Sequence, residues 1–220
     1  MNLCDFMEKK KRIFIIFTMM FAIGALLGFG IEYVWYFVKH GTVLSKPGLL
    51  YGPFKPIYGL GCLLMVAFYY LFKKEKVIIV YIVGTVLGGA FEYLMAVIPE
   101  TLFKVTYWRY DSFNLNIDGK VYIPYCFVWG LLFVIFIKYI YPKLEEKVIK
   151  TPFVVVLILN IFLVLDAALT SIAVYQYSNR VHNIPTTNSV LKLIDKKYDN
   201  DYMKKRFPNM RIKKEVKKNG

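Results

Sequence analysis

Long unbroken apolar stretches organise this chain, in place of the strict alternation of a half-buried strand or the two-faced period of a surface helix. Five can be read, roughly from Ile13 to Val38, Ile57 to Phe72, Val77 to Ile98, Val121 to Ile137 and Phe153 to Tyr175. A helix that crosses a bilayer needs about 20 apolar residues, range ~17–25. The first, third and fifth stretches satisfy that. The second and fourth are short, and each has a proline at or near its start, Pro56 and Pro124. They are predicted to begin late or to follow a non-helical lead-in. The pattern predicts an all-α membrane protein of about five transmembrane helices over residues 1–175, followed by a tail over 176–220.

Within the first and third stretches one pattern occurs twice. Gly24-x-x-x-Gly28-x-x-x-Glu32-Tyr33 returns as Gly84-x-x-x-Gly88-x-x-x-Glu92-Tyr93. Spacing by four places Gly24, Gly28 and Glu32, and likewise Gly84, Gly88 and Glu92, on one face of their helices. Small residues let membrane helices approach closely, so the four glycines are candidate packing positions. Each copy is followed by a loop and a short proline-led stretch. The units, about 13–72 and 77–141, therefore form a parallel duplication of a two-helix module, with a fifth span at 153–175.

Glu32 and Glu92, with Asp166 in the last stretch, are ionisable groups at membrane depth. Such residues are costly and are read first as functional. At ~1.5 Å per residue they lie roughly 20–30 Å from one end of their helices, where Lys55 and Arg109 are the candidate counter-charges. Such a cluster could bind a cation, carry protons or grip a polar head group. The alternative is that the acids pair with bases or tyrosine hydroxyls and lock the helices together, and both can hold at once.

Composition sharpens this picture. The chain is 57% hydrophobic and carries a net charge of +14. In a soluble protein that charge would suggest nucleic acid, but no nucleic-acid module is present. The basic residues instead flank the spans and fill the tail, which suits the headgroups of a lipid bilayer. Lysines are densest beside the N-terminus (Lys9, Lys10, Lys11, Arg12) and in the short loops at Lys73–Lys76 and Lys138–Lys150, against a sparser set at Lys39, Lys46, Lys55, Lys104, Arg109 and Lys120. Positive charge favours the cytoplasmic side, so the N-terminus is expected inside. An odd number of spans then puts the lysine-rich tail outside, which the same rule disfavours. Cys4, Cys62 and Cys126 share no metal or disulfide spacing, so no metal or cofactor is expected.

The first outer loop, Gly48-Leu49-Leu50-Tyr51-Gly52-Pro53-Phe54-Lys55-Pro56, is apolar yet rich in glycine and proline. It is read either as a re-entrant element or as a turn at the interface. Asp118-Gly119 predicts a tight hairpin turn in the second outer loop. In the tail, Val190, Leu191, Ile194 and Tyr198 fall at helical spacing with Asn188 or Ser189 as cap, which predicts an amphipathic helix for an anionic surface or a protein partner.

Gly28 through Tyr33, Gly52-Pro53-Phe54 with Pro56-Ile57-Tyr58-Gly59, Glu92-Tyr93, the Trp108-Tyr110-Asn116-Gly119 loop, Asp166 with Ser171, and Arg206-Phe207-Pro208-Asn209-Met210 together resemble the putative ABC-transporter type IV, or CmpB-like, permeases. The resemblance spans most of the chain. It implies a bacterial, multi-pass cell-membrane protein of permease type, working with an ATPase subunit in trans because no G-x-x-x-x-G-K-[ST] motif is present. No H-E-x-x-H or G-x-S-x-G signal is present either, and enzymatic activity is not expected. The expected function is a permease-like subunit moving a small solute or lipid-linked group, with Glu32, Glu92, Asp166, Lys55 and Arg109 as candidate pathway residues. The alternative is a non-transporting scaffold or regulator acting through its tail and glycine faces, and a homo-oligomer fits either.

Overall fold

The structure is a computed structural model describing residues 3–42, 47–186 and 188–213. Lys46 and the end of the tail, residues 214–220, lie outside the described residues. Among them are seven helices: α1 (Leu3–His40), α2 (Pro56–Phe72), α3 (Val77–Phe103), α4 (Ile123–Val148), α5 (Phe153–Val181), α6 (Ser189–Lys197) and α7 (Asn200–Arg206). Short strands β1 (Val105–Thr106), β2 (Asn116–Ile117), β3 (Val121–Tyr122) and β4 (Arg211–Ile212) complete the fold. Four helices, α1, α3, α4 and α5, are long and apolar enough to cross a membrane. The fifth, α2, has 17 residues and sits at the lower bound for a span.

The helices outrun the apolar stretches that predict them. α1 has 38 residues, about 57 Å at ~1.5 Å each, nearly twice the ~30 Å hydrocarbon thickness. α3 continues through Pro99 to a left-handed cap at Lys104 (φ 55°). α4 runs past its expected end through a π turn at Phe136–Ile140. The extra residue in that turn precedes Pro142, whose missing N–H and bulky ring would otherwise strain the ladder.

Each glycine face packs on the short helix of its own unit. A Cβ added at Gly24 would lie 2.6 Å from Cβ of Cys62 and 2.9 Å from the Tyr58 carbonyl oxygen, and one at Gly28 would overlap the Tyr58 side chain. In the second unit, Gly84 abuts Phe133 and Gly130, and Gly88 abuts Trp129. The contacts define a register between the short helices that pairs Tyr58 with Trp129, Gly59 with Gly130 and Cys62 with Phe133. It extends to the reciprocal glycines. A Cβ at Gly59 would lie 2.8 Å from the Phe21 carbonyl oxygen, and one at Gly130 would lie 2.8 Å from that of Tyr81. Phe21 and Tyr81 are themselves equivalent, being sixty residues apart like the two glycine motifs.

The main core gathers Ile16, Met20, Val66, Val80, Phe133, Ile137, Tyr141 and Val156 from the five spans. At the end of the bundle that carries the two long loops, the tail folds back as part of the protein. Tyr198, Met203 and Phe207 are buried with Leu50, Val105, Ala173, Val174 and Tyr177, and β4 pairs antiparallel with β1. Arg180 ties the tail down by pairing with Asp195 and donating to the Tyr198 carbonyl oxygen at 2.8 Å. The tail was expected as an amphipathic helix with a second amphipathic turn at Tyr202, Met203 and Phe207, lying on an anionic surface or docking a partner. Two short helices form, capped by Asn188 and Asp199, but Tyr198 ends the first and their apolar side chains turn into the protein's own core. The reason is physical: the tail's spaced apolar side chains find a partner in the apolar loop 48–55 and α5.

Candidate functional site

α2 begins only partway along its long partner, and this opens the site. The Lys55 N–H donates to the Ala25 carbonyl oxygen in mid-α1 at 3.2 Å, and α2 starts one residue later. Loop 48–55 therefore descends to the level of Ala25. Trp35, ten residues above Ala25 and so ~15 Å higher at 1.5 Å per residue, is exposed together with Ile31, Val34 and Val38, as suits a lipid-facing belt. The loop thus packs alongside α1 and leads directly into α2, the position expected of either a re-entrant element or a deep turn.

Irregular backbone at that depth requires partners from the protein. Asp166 supplies them on one side: both of its carboxylate oxygens accept from the Tyr51 N–H at 3.1 Å. Thr170, one turn on, accepts the Leu50 N–H at 2.9 Å. Arg206 of α7 supplies the other, donating to the Leu49 carbonyl oxygen at 2.7 and 2.9 Å and to that of Gly52 at 3.0 Å. Burial lowers the Arg206 pKa below its ordinary value, opposed by the neighbouring Tyr202 and Asp166 charges. Asp166, expected beside the glutamates, thus serves the loop.

Glu32 and Glu92 each stand one turn beyond the second glycine of their motif, facing the first turns of the short helix. Glu32 pairs with Lys55 and hydrogen-bonds the Tyr58 hydroxyl. At the equivalent position in the second unit, Glu92 accepts from Trp129 Nε1 at 3.3 Å through Oε2 and from the Tyr110 hydroxyl at 2.9 Å through Oε1. The two units meet close to these acids: a Cβ at Gly61 of α2 would lie 3.4 Å from the Phe91 ring and 3.7 Å from that of Trp129. Tyr110 belongs to the second outer loop and packs in an aromatic cluster with Phe113, Tyr122 and Tyr125. Burial, and next the charge of Glu92, push its hydroxyl pKa well above the usual phenol range.

The structure thus brings together Glu32, Lys55 and Glu92 among the expected residues. Arg109 lies elsewhere. It forks onto Asp111 at 2.6 and 2.8 Å, which raises its own pKa and holds the Asp111 carboxyl below its ordinary value. The loop is stiffened by the Asp118-Gly119 turn, whose positive φ of 54° and 64° at the two central residues match a primed hairpin turn, and by Trp108 Nε1 donating to the Lys120 carbonyl oxygen at 3.0 Å.

Tyr58, Tyr110 and Trp129 were not singled out as site residues from sequence. The signal that finds Tyr58 and Trp129 is the second register: the long helices repeat at sixty residues, the short helices at seventy-one, because the second unit has the longer loop. In that register Lys55 is matched by Cys126, so the second unit has a thiol where the first has its cation. The sulfur of Cys126 packs at Gly89, 2.8 Å from where a Cβ would stand, and feels the Glu92 charge.

No curated protein and no solved structure matches the chain. One family model does, over residues 19–171, which span both glycine motifs, both short helices, the two outer loops and Asp166. That match covers more than half of the chain, and the protein belongs to the family described as putative ABC-transporter type IV.

Proposed function

We propose that the chain is a permease-like subunit in the cell membrane, N-terminus inside, that passes a small polar solute or lipid-linked group by way of the Glu32–Lys55–Tyr58–Glu92 region and is driven by an ATPase subunit in trans. The observation that carries this reading is that each repeated glutamate faces the short helix of its own unit, Glu32 beside Lys55 and Glu92 beside Trp129, next to the loop that descends to Ala25. Helix N-termini at mid-membrane, beside non-helical backbone, are the common construction of solute sites in transporters. The family description supports transport in general. No enzymatic step is part of the proposal.

The test is uptake of a panel of labelled polar solutes by cells expressing the chain with its ATPase. Glu92→Gln and Glu32→Gln are each expected to abolish uptake of one solute while the protein remains inserted and monodisperse. Loss of folding in both variants would assign the acids to packing.

A second reading, a non-transporting scaffold, is favoured by one observation: Glu32 is already neutralised by Lys55 and Asp166 is committed to the loop. Deleting the tail cannot separate the two readings, since Arg206 and Phe207 help hold the fold. Reversing the exposed charges of α6, as in Lys192→Glu with Lys196→Glu, removes a docking surface without opening the core. A scaffold would lose its partner, and a permease would keep its uptake.

A further inference from the structure

The two units hold their glutamates differently, and the difference is chemical. Glu32 has a lysine. Glu92 is 5% exposed, and its two hydrogen-bond donors, Tyr110 and Trp129, are neutral. Around it, α4 contributes Cys126 and Trp129, the outer loop contributes Tyr110 with Tyr125 behind it, and α2 contributes Tyr58 with the Glu32–Lys55 pair beyond. The cation of that group, Lys55, is engaged by Glu32. On that side of α3, Lys120 is engaged by Asp118, by Glu100 at 3.7 Å and by the Tyr93 ring at 5.5 Å. A carboxylate removed from water without a counter-charge costs several kcal/mol, whereas the carboxylic acid does not.

We propose that Glu92 is the carboxyl group at which this chain binds and releases a proton, while Glu32 is held in an ion pair with Lys55. The proposal rests on the permease reading and gives that site its exchangeable ion. The step is one carboxylate and one proton giving one carboxylic acid, and the reverse. Geometry also selects the oxygen. Trp129 Nε1 can only donate, so Oε2 must remain an acceptor in both forms. The Tyr110 hydroxyl can donate or accept. The proton therefore resides on Oε1 and donates to Tyr110 when loaded, and Tyr110 turns its own hydrogen to Oε1 when the site is empty. Tyr110 is the positioning residue for this exchange, at the outer-loop end of the site.

The experiment is carbodiimide labelling of the full-length chain in native membranes, using dicyclohexylcarbodiimide, which reacts with protonated carboxyls, and locating the adduct by peptide mass spectrometry. Adduct at Glu92 is expected to fall about tenfold or more between roughly pH 5.5 and pH 8.5, with none at Glu32. Cys126→Lys gives the second unit its missing cation and is expected to cut Glu92 labelling about tenfold. Lys55→Met is the converse and should make Glu32 reactive. Tyr110→Phe, which removes the reversible partner but keeps the ring, should shift the pH midpoint at Glu92. Equal labelling of both glutamates, or a Glu92 that stays unlabelled or pH-independent in monodisperse protein, overturns the proposal. Labelling requires no flux, so a chain that fails the uptake test can still label at Glu92. Uptake lost in Glu92→Gln with Glu92 unlabelled sinks the proton assignment alone.

Discussion

Gly28 and Gly30 lie two residues apart on α1, and replacing each with alanine isolates the packing energy of the glycine face. Both changes reduce the cost of placing glycine in a helix, by about 1 kcal/mol. That gain is common to the pair and cancels in the comparison. They differ in what the new methyl meets. At Gly30 nothing lies within 4 Å, while at Gly28 the Cβ would lie 2.5 Å from Cβ of Tyr58 and closer still to its ring. Carbon atoms pack comfortably at ~3.5–4.0 Å, so α1 and α2 must part by about 1 Å or more. Tyr58 cannot simply swing away, because its Cβ is fixed to the helix backbone. Overpacking of this kind costs ~1–3 kcal/mol, which for a chain of this length corresponds to about 2–12 °C in Tm. Gly28→Ala is therefore expected to melt below Gly30→Ala by that margin, measured on both purified proteins in one detergent. A Gly28→Ala protein melting at or above its neighbour would refute the close-approach argument for the first unit.

Other outcomes follow from the loop and its seals. Arg206→Ala removes the donors to the Leu49 and Gly52 carbonyls, and amide exchange at residues 48–55 should quicken by about tenfold or more. Asp166→Leu orphans the Tyr51 N–H and should cost ~1–3 kcal/mol in the same melts, whereas Asp166→Asn keeps one acceptor and should cost less. Burial pushes the Tyr107 hydroxyl up to about 12. Its folded value thus lies above the unfolded ~10, so its contribution to stability is complete below pH ~10 and is lost as pH rises toward 12. An ultraviolet titration following phenolate absorbance should show a late-titrating group of tyrosines, Tyr110 among them, that Tyr107→Phe reduces by one. A Tyr107 that ionises with the exposed tyrosines would contradict the burial.

Much of this architecture was legible because bilayer physics writes long signals. Apolar runs marked the spans, and the glycine spacing marked which face of α1 and α3 packs. The shortness of the second stretch and the Gly-Pro run before it pointed to irregular backbone at the start of α2. The misassigned features share one property, that their partners are remote in sequence. Asp166 looked like a third site carboxylate because its depth matched Glu32 and Glu92, yet its hydrogen bonds go to Tyr51, 115 residues away. Arg109 looked like a counter-charge, but Asp111 two residues on is a nearer partner. The tail read as a surface for lipid or a partner because lysines fill the positions between its apolar residues, while the cluster that Tyr198, Met203 and Phe207 join, with Leu50, Val105 and Ala173, is remote in sequence.

The bond from Arg206 to Leu49 joins residues 157 positions apart, and this has a bearing on how the protein is made. A ribosome releases Leu49 and Gly52 long before Arg206 exists, so the loop must wait through the synthesis of five later helices with those carbonyls open. During that interval water or lipid headgroups must serve them, which keeps the segment near the membrane surface. Descent of the loop to Ala25 is thus a late event in biogenesis, and truncation anywhere before Arg206 should leave a protein that inserts its spans yet never seats the loop.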